Sequence, residues 1–384
     1  MNPVVHALSM AFAMFWEILW ALILGFGLSA VVQAVVSKKQ MAKLLGDDSP
    51  RSIAIACGLG AASSSCSYAA VALARSIFRK GANFTAAIAF MLASTNLVVE
   101  LGIIMAILLG WQFMVAEFAG GPLMVVILVV LFRLFLKPQL VEQAREQAER
   151  GVAGKMEGHA AMDMSVSERG SIWRRMRSAK GFTAISQYFV TDWLAVWKDI
   201  AGGLLIAGAL AAWVPLPFWN KFFLTRHPVW SQLWGPLVGP LVAIVSFVCS
   251  IGNVPLAAVL WNGGSSFGGV IAFIYADLIV IPILDIYRKY YGLKMSAFLL
   301  ATMYAAMASA ALVIELIFQP LHLVPAERHA RIVEASITWN YTTVLNIIFL
   351  AIAALLLWRF FTTGGMEMAK MMDRMPTKKH AHAA

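Results

Sequence analysis

Seven long apolar stretches constrain this chain more than any other feature: 9–36, 84–110, 113–136, 194–214, 267–287, 296–319 and 338–361. A helix needs about 20 apolar residues to cross a bilayer. In lipid every backbone N–H and C=O must be satisfied within the segment, which leaves helices as the spanning element for stretches of this kind. The sequence therefore reads as an all-α polytopic membrane protein. Only 13% of its residues are charged and 60% are hydrophobic, where soluble domains carry about 25% charged residues. Soluble enzymes, nucleic-acid binders and secreted disulfide scaffolds are excluded on that ground. No nucleic-acid partner is expected from the net charge of +10, because no basic run is interleaved with aromatics. No Lys or Arg precedes Lys38, so no cleavable signal peptide is predicted.

Two further apolar stretches, 52–74 and 235–262, are rich in Gly, Ser or Pro at their middles. Irregular backbone at membrane depth is tolerated where it is buried in protein or lines a cavity. Basic segments flank 52–74 on both sides: Lys38, Lys39, Lys43 and Arg51 before it, and Arg75, Arg79 and Lys80 at its end. Positive charge favours the cytoplasmic face, so 52–74 is expected to enter from the cytoplasm and return. The stretch 235–262 then enters from outside. This gives seven spans and two hairpins, with the N-terminus outside and the C-terminus in the cytoplasm of a bacterial inner membrane. A nine-span arrangement, with both stretches crossing, is the rival.

Residues 66–99 align without a gap to 249–282, at an offset of 183, with 11 identities in 34 positions. Cys66-Ser67 matches Cys249-Ser250, and Gly81 and Phe84 match Gly264 and Phe267. By the charge argument the two halves have opposite topology. Inverted repeats with broken or re-entrant elements build midplane binding sites in many secondary transporters. The expected organisation is a first transmembrane repeat over 1–137 and a cytoplasmic amphipathic linker over 138–190. A second repeat with an extra helix covers 191–362, and a Met-, His- and Lys-rich cytoplasmic tail covers 363–384.

The two hairpin tips carry Ser65-Cys66-Ser67 and Cys249-Ser250 followed by Asn253. Thiolates are soft ligands that prefer soft metals and metalloids. Hydroxyls beside them suit a hydroxylated species. A buried cysteine is more often a small hydrophobe, and what argues against that here is recurrence at one place in both halves. Cys57 has no counterpart and reads as packing. Within the spans, Asn96 and Glu100 follow the first hairpin, and Asp277 falls at the position equivalent to Ser94. An intramembrane carboxylate is costly to ionise and marks function by default. Asp277 and Glu100 are therefore candidates for proton coupling, with a helix–helix hydrogen bond as the bland alternative. Asp285, beside Arg288 and Lys289, reads as an interfacial salt bridge. The Met- and His-rich segments 156–164 and 366–382 could bind Cu(I), or be an amphipathic face and a tail.

The runs CSYAAVALARSIFRKGANFTAAIAFMLAST and CSIGNVPLAAVLWNGGSSFGGVIAFIYADLI resemble the bacterial predicted-permease family that includes the organoarsenical efflux permeases (ArsP/YraQ-like). The matching positions are Cys66, Ser67, Gly81, Cys249, Ser250, Asn253, Pro255 and Gly264. The resemblance implies an inner-membrane permease that exports trivalent organoarsenicals such as methylarsenite. Many relatives carry Cys-Ser-Cys at the first tip, whereas this chain has Cys66-Ser67-Tyr68. That departure leaves a thiol site shared between Cys66 and Cys249, which would also be the metal or metalloid ligands. The expected partners are a small-molecule or metalloid substrate and the lipid bilayer. No cofactor is expected, and no Walker A loop occurs, so no ATPase domain is expected in this chain. The alternatives are a transporter of another soft ion such as Cu(I), or a transmembrane thiol/disulfide relay, which needs an exchange-competent cysteine pair. An intramembrane hydrolase is excluded, because no HExxH or GxSxG motif occurs and the histidines lie at ends and loops.

Overall fold

A computed structural model of the chain describes residues 3–35, 38–63, 67–150, 171–213, 228–246, 250–328, 330 and 339–366. Among these residues the secondary structure is helical throughout. The first half contains α1 (Pro3–Val35), α2 (Lys38–Leu45), α3 (Pro50–Ser63), α4 (Ser67–Arg79), α5 (Phe84–Asn96), α6 (Val99–Leu108), α7 (Trp111–Phe135) and α8 (Pro138–Arg150). After it come α9 (Ile172–Arg177), α10 (Ala179–Trp213), α11 (Pro228–Ser246), α12 (Ser250–Asn262) and α13 (Phe267–Tyr275). A 3-10 turn (Ala276–Leu278) leads to α14 (Ile281–Tyr291), α15 (Leu293–Phe318) and α16 (Tyr341–Thr362).

Five segments are long and apolar enough to cross a bilayer: Phe84–Leu108, Trp111–Phe135, Phe267–Tyr291, Leu293–Phe318 and Tyr341–Thr362. The helices α1 and α10, of 33 and 35 residues, carry the other two expected apolar runs. On α16 the large side chains of Val344, Ile347, Ile348 and Leu355 are exposed. In water such a face would be an aggregation liability, whereas in lipid it is the natural outer surface. The chain is a multi-pass membrane protein. The Met- and His-rich segments lie outside the described residues, apart from Met366.

The two stretches expected as hairpins hold α3 and α4 in the first half, and most of α11 with α12, of 19 and 13 residues, in the second. The members α3 and α4 have 14 and 13 residues, about 20 Å each at 1.5 Å per residue, which falls short of the about 30 Å hydrocarbon core. The chain comes back to where it started: the Asn83 N–H, just past α4, donates to the Leu45 carbonyl, just before α3, at 2.6 Å. In the second half, α11 passes against the start of α13 so closely that a Cβ at Gly239 would lie 2.4 Å from the Gly269 carbonyl oxygen. A Cβ at Gly60 on α3 would likewise lie 2.3 Å from the Phe90 carbonyl oxygen on α5. Small residues at such crossings let helix backbones touch.

The 183-residue offset is repeated in local geometry. Both α4 and α12 have 13 residues and begin at the equivalent positions Ser67 and Ser250. Gly81 and Gly264 turn the chain at φ 101° and 97°, a region that favours glycine because it has no Cβ. The helices that follow are capped by side chains at equivalent positions. Asn83 accepts from the Thr85 N–H, and Ser266 accepts from the Gly269 N–H.

The equivalence extends beyond the 34 aligned residues. Arg145 on α8 donates to the carbonyls of Phe78 and Ala82 at 2.9 and 3.2 Å, and its guanidinium lies 4.1 Å from the Phe78 ring centroid. Arg328, 183 residues later, donates to the carbonyls of Trp261 and Ser265 at 3.0 and 2.7 Å. It lies 4.3 Å from the Trp261 ring centroid. Each arginine thus satisfies orphan carbonyls where a hairpin ends, as helix C-termini require. Charge-assisted hydrogen bonds contribute about 1.5–3 kcal/mol and cation–π contacts about 0.5–2 kcal/mol. Arg145→Ala and Arg328→Ala are each expected to cost about 2–4 kcal/mol. Thermal unfolding in detergent should show matched drops for the two variants. A drop in one alone would break the structural equivalence.

Each repeat also contains a broken span. Helix α5 ends at Asn96, and α6 restarts after Val98 in extended conformation (φ −97°, ψ 134°). In the second half α13 gives way to the 3-10 turn, and α14 restarts after Val280, also extended (φ −65°, ψ 149°). Aromatic pairs pack at the ends of these spans. Phe84, at the start of α5, packs edge-on to Tyr291, at the end of α14, at 5.4 Å. Phe113, near the start of α7, packs on Phe267, at the start of α13, at 4.6 Å.

Candidate functional site

A helix broken inside a membrane exposes backbone groups that must find partners or line a cavity. At the second break lies Asp277, in the 3-10 turn and fully buried. Its Oδ2 accepts a hydrogen bond from the Ser67 hydroxyl at 2.8 Å. Ser67 is the first residue of α4 and follows Cys66 directly in sequence, so the start of α4 touches the break in the second repeat. Of the residues singled out in the sequence, these two are brought together across 210 positions.

The other candidates are distributed around them. Asn96 ends α5 at the first break and is buried. Its amide nitrogen donates to the Leu92 carbonyl at 3.2 Å and to the Thr95 hydroxyl at 3.0 Å, and its Oδ1 has no hydrogen-bond partner among the described residues. Asn253 sits in the first turn of α12, fully buried, with neither amide atom hydrogen-bonded among the described residues. An unsatisfied buried amide costs about 1–3 kcal/mol, so both amides are available to a bound polar group. Neither asparagine bonds to Ser67 or Asp277. Ser250 begins α12, and Glu100 stands in the first turn of α6, but their side chains lie outside the described residues. So do Ser65, Cys66 and Cys249. Among the described residues no group of three or more His, Cys, Asp and Glu could hold a metal ion.

The structure adds residues that the sequence left unmarked. Glu117 on α7 is fully buried, and neither carboxylate oxygen has a hydrogen-bond partner among the described residues. It lies within electrostatic reach of Asp277. The segments that carry them meet: the hydroxyl of Tyr275, two residues before Asp277, donates to the carbonyl of Ala116, next to Glu117, at 3.2 Å. Gly120 makes room for this phenol, since a Cβ there would lie 2.0 Å from the hydroxyl oxygen. No repeat signal marks Glu117, because its offset position is Leu300.

A second buried polar cluster lies toward the other end of α4. The Oδ2 of Asp192 on α10 accepts from Ser29 at 2.8 Å and from Gln33 at 2.9 Å. Ser29 also bonds Ser76 of α4 at 2.9 Å, and Arg79 donates to Gln33 at 3.4 Å. This network ties the end of α4 to α1 and α10. Asp285 pairs with Arg288 at 2.7 Å and Lys289 at 2.9 Å, as its neighbours in the sequence suggest. Glu315 accepts from the Gly268 N–H in the first turn of α13, where the helix dipole favours negative charge.

Comparison with known proteins agrees with this architecture. The model of a family described as "Predicted permease" matches residues 4–316. A protein of Mycobacterium tuberculosis (strain ATCC 25618 / H37Rv) named "Putative permease Rv2963" is 64% identical over 348 residues, covering 91% of this chain and 86% of that protein. No solved structure matches the chain.

Proposed function

Because the chain belongs to the predicted permease family, we propose that it is a secondary transporter of the bacterial inner membrane. In this reading it exports a soft metalloid species, a trivalent organoarsenical such as methylarsenite, in exchange for protons. The two repeats are inverted, each with a re-entrant hairpin, and the C-terminus is cytoplasmic. What supports inversion is the aromatic packing at the span ends. Phe84 and Phe267 open equivalent helices; Phe84 meets the end of the opposite broken span, and Phe267 meets Phe113, which follows the end of the first broken span at the start of α7. The basic residues 38–51, 75–80 and 288–294 then fall on one face, as the positive-inside rule asks.

The observation that carries the reading is the hydrogen bond from Ser67 to Asp277. It sets the residue beside Cys66 against the broken helix of the other repeat, where alternating access would expose it to each side in turn. Methylarsenite is uncharged at neutral pH and thiophilic. Binding to Cys66 and Cys249 would form two As–S bonds and break two As–O bonds, with each thiol proton leaving in a water molecule. Ser65, Ser67, Ser250, Asn96 and Asn253 would hold the remaining polar groups of the site. Asp277, with Glu100, would carry the coupling proton.

Uptake of methylarsenite into everted membrane vesicles, with and without a proton gradient, tests this reading. Wild type is expected to accumulate it in a gradient-dependent way. Cys66→Ser and Cys249→Ser should each lose at least about tenfold, since one lost bond of 1.4 kcal/mol already costs that much. Uptake unaffected by either substitution would remove the cysteines from the site. No uptake in wild type would set aside the arsenical, and Cu(I) and other soft ions would then be screened in the same vesicles.

A further inference from the structure

We propose that Glu117 and Asp277 form a single protonation site, a carboxyl pair that holds one proton between the two repeats. This rests on the reading of the chain as a proton-coupled permease, and it assigns the coupling proton to a pair that includes a residue with no sequence signal.

Both side chains are fully buried. Glu117 makes no hydrogen bond with either oxygen among the described residues, a situation that a carboxylate in a dry interior does not sustain. The turn of α7 that carries Glu117 is fastened to the turn that carries Asp277 by the bond from Tyr275 to Ala116. The two segments that carry the acids are therefore held together by the packing of α7 on the broken helix.

The groups around the pair include no cation that bonds Glu117. From α13 the titratable neighbour is Tyr275, already committed to Ala116, and from α14 it is Tyr287, whose hydroxyl contacts the Met91 sulfur at 3.5 Å. The helix α11 packs against the 3-10 turn and contains no titratable residue. On α15, which packs on α7, Tyr304 donates to the Leu237 carbonyl, Glu315 is committed to Gly268, and Lys294 stands in the first turn. On α6 the titratable residue is Glu100. Two like charges in a water-poor site cannot both ionise at little cost, so one proton resides on the pair, which titrates as a unit. Losing that proton sets the two carboxylates against each other at the break between α13 and α14. The repulsion would act where the helix is already interrupted, and so would bias the chain toward the alternative arrangement of the repeats.

Infrared spectroscopy of the purified full-length protein reads the proton directly. At neutral pH wild type should show the carbonyl band of a buried protonated carboxylic acid, sensitive to deuterium. The band should shift in Glu117→Gln and in Asp277→Asn, vanish in the double variant, and persist unchanged in Asp285→Asn. No such band in wild type, or a band untouched by both substitutions, would overturn the proposal. In everted vesicles, the ratio of gradient-driven methylarsenite uptake to gradient-free exchange should fall about tenfold or more in Glu117→Gln, within the usual range of coupling energies. An unchanged ratio would also overturn it. If wild type moves no methylarsenite while the band behaves as expected, the substrate reading fails and the pair stands.

Discussion

Asp277→Ala is expected to cut gradient-driven flux by about one to two orders of magnitude, while Asp285→Asn, eight residues later, leaves it unchanged. Both acids belong to one broken span, and their surroundings set them apart. Asp277 is fully buried and accepts the Ser67 hydroxyl at 2.8 Å. Hydrogen bonds to charged groups are worth about 1.5–3 kcal/mol, and removing one partner leaves the other stranded. At 1.4 kcal/mol per factor of ten, that loss alone spans the stated range. Ser67→Ala, which removes only the donor, should fall by about tenfold on the same scale. Asp285 is partly exposed, and its partners Arg288 and Lys289 share its helix. Such surface pairs contribute about 0–1 kcal/mol, so its loss should be invisible in transport and small in stability. Initial rates in everted vesicles, normalised to the amount of protein in the membrane, give the comparison. Equal losses in the two Asp variants would mean that the break in the helix has no special part in the transport cycle.

How much of this was legible beforehand differs from residue to residue, for physical reasons. The matched turns after α4 and α12 were legible because a backbone turn leaves a local signature. Gly81 and Gly264 hold the same positive φ, and a side chain would be strained at either, so sequence identity follows from geometry. Arg145 and Arg328 were within reach of the same argument. Leu140-Val141 and Leu323-Val324 precede them at the same offset, so extending the alignment past its first break would have marked the pair. The interruptions at Leu97–Val98 and near Asp277 were not legible as breaks, since Ser94–Asn96 and Asp277 stand within runs that are apolar overall and hydropathy does not record where a helix restarts. Glu117 was hidden for another reason. The acid proposed to share its proton is 160 residues away, and nothing local in the sequence marks a carboxyl buried without a hydrogen bond. Asp192 is the same case: its partners Ser29 and Gln33 lie on a different helix.

Asn346→Leu is expected to be the most destabilising single change in the described membrane helices outside the candidate site, at about 2–5 kcal/mol. Asn346 is fully buried on α16. Its amide nitrogen donates to the Trp16 carbonyl at 2.7 Å, and its Oδ1 accepts from the Trp20 N–H at 2.8 Å. Trp16 and Trp20 are four residues apart on α1, so these are the two groups that an unbroken helix would join to each other. The side chain thus bonds both groups of one rung of the α1 ladder. The Trp16 indole N–H also donates to the Thr343 hydroxyl at 3.2 Å, so α16 is fastened to α1 at three points. Leucine matches asparagine roughly in size but offers nothing to either backbone group, and lipid supplies no water in its place. Asn340, which caps the start of α16 by accepting from the Thr343 N–H at 3.1 Å, provides the scale. Asn340→Ala should cost about 1 kcal/mol, as lost caps do. Thermal unfolding in detergent should therefore rank Asn346→Leu well below Asn340→Ala. If the two are equal, α1 satisfies both groups by itself when the amide is gone, and Asn346 contributes little to the packing of α16 on α1.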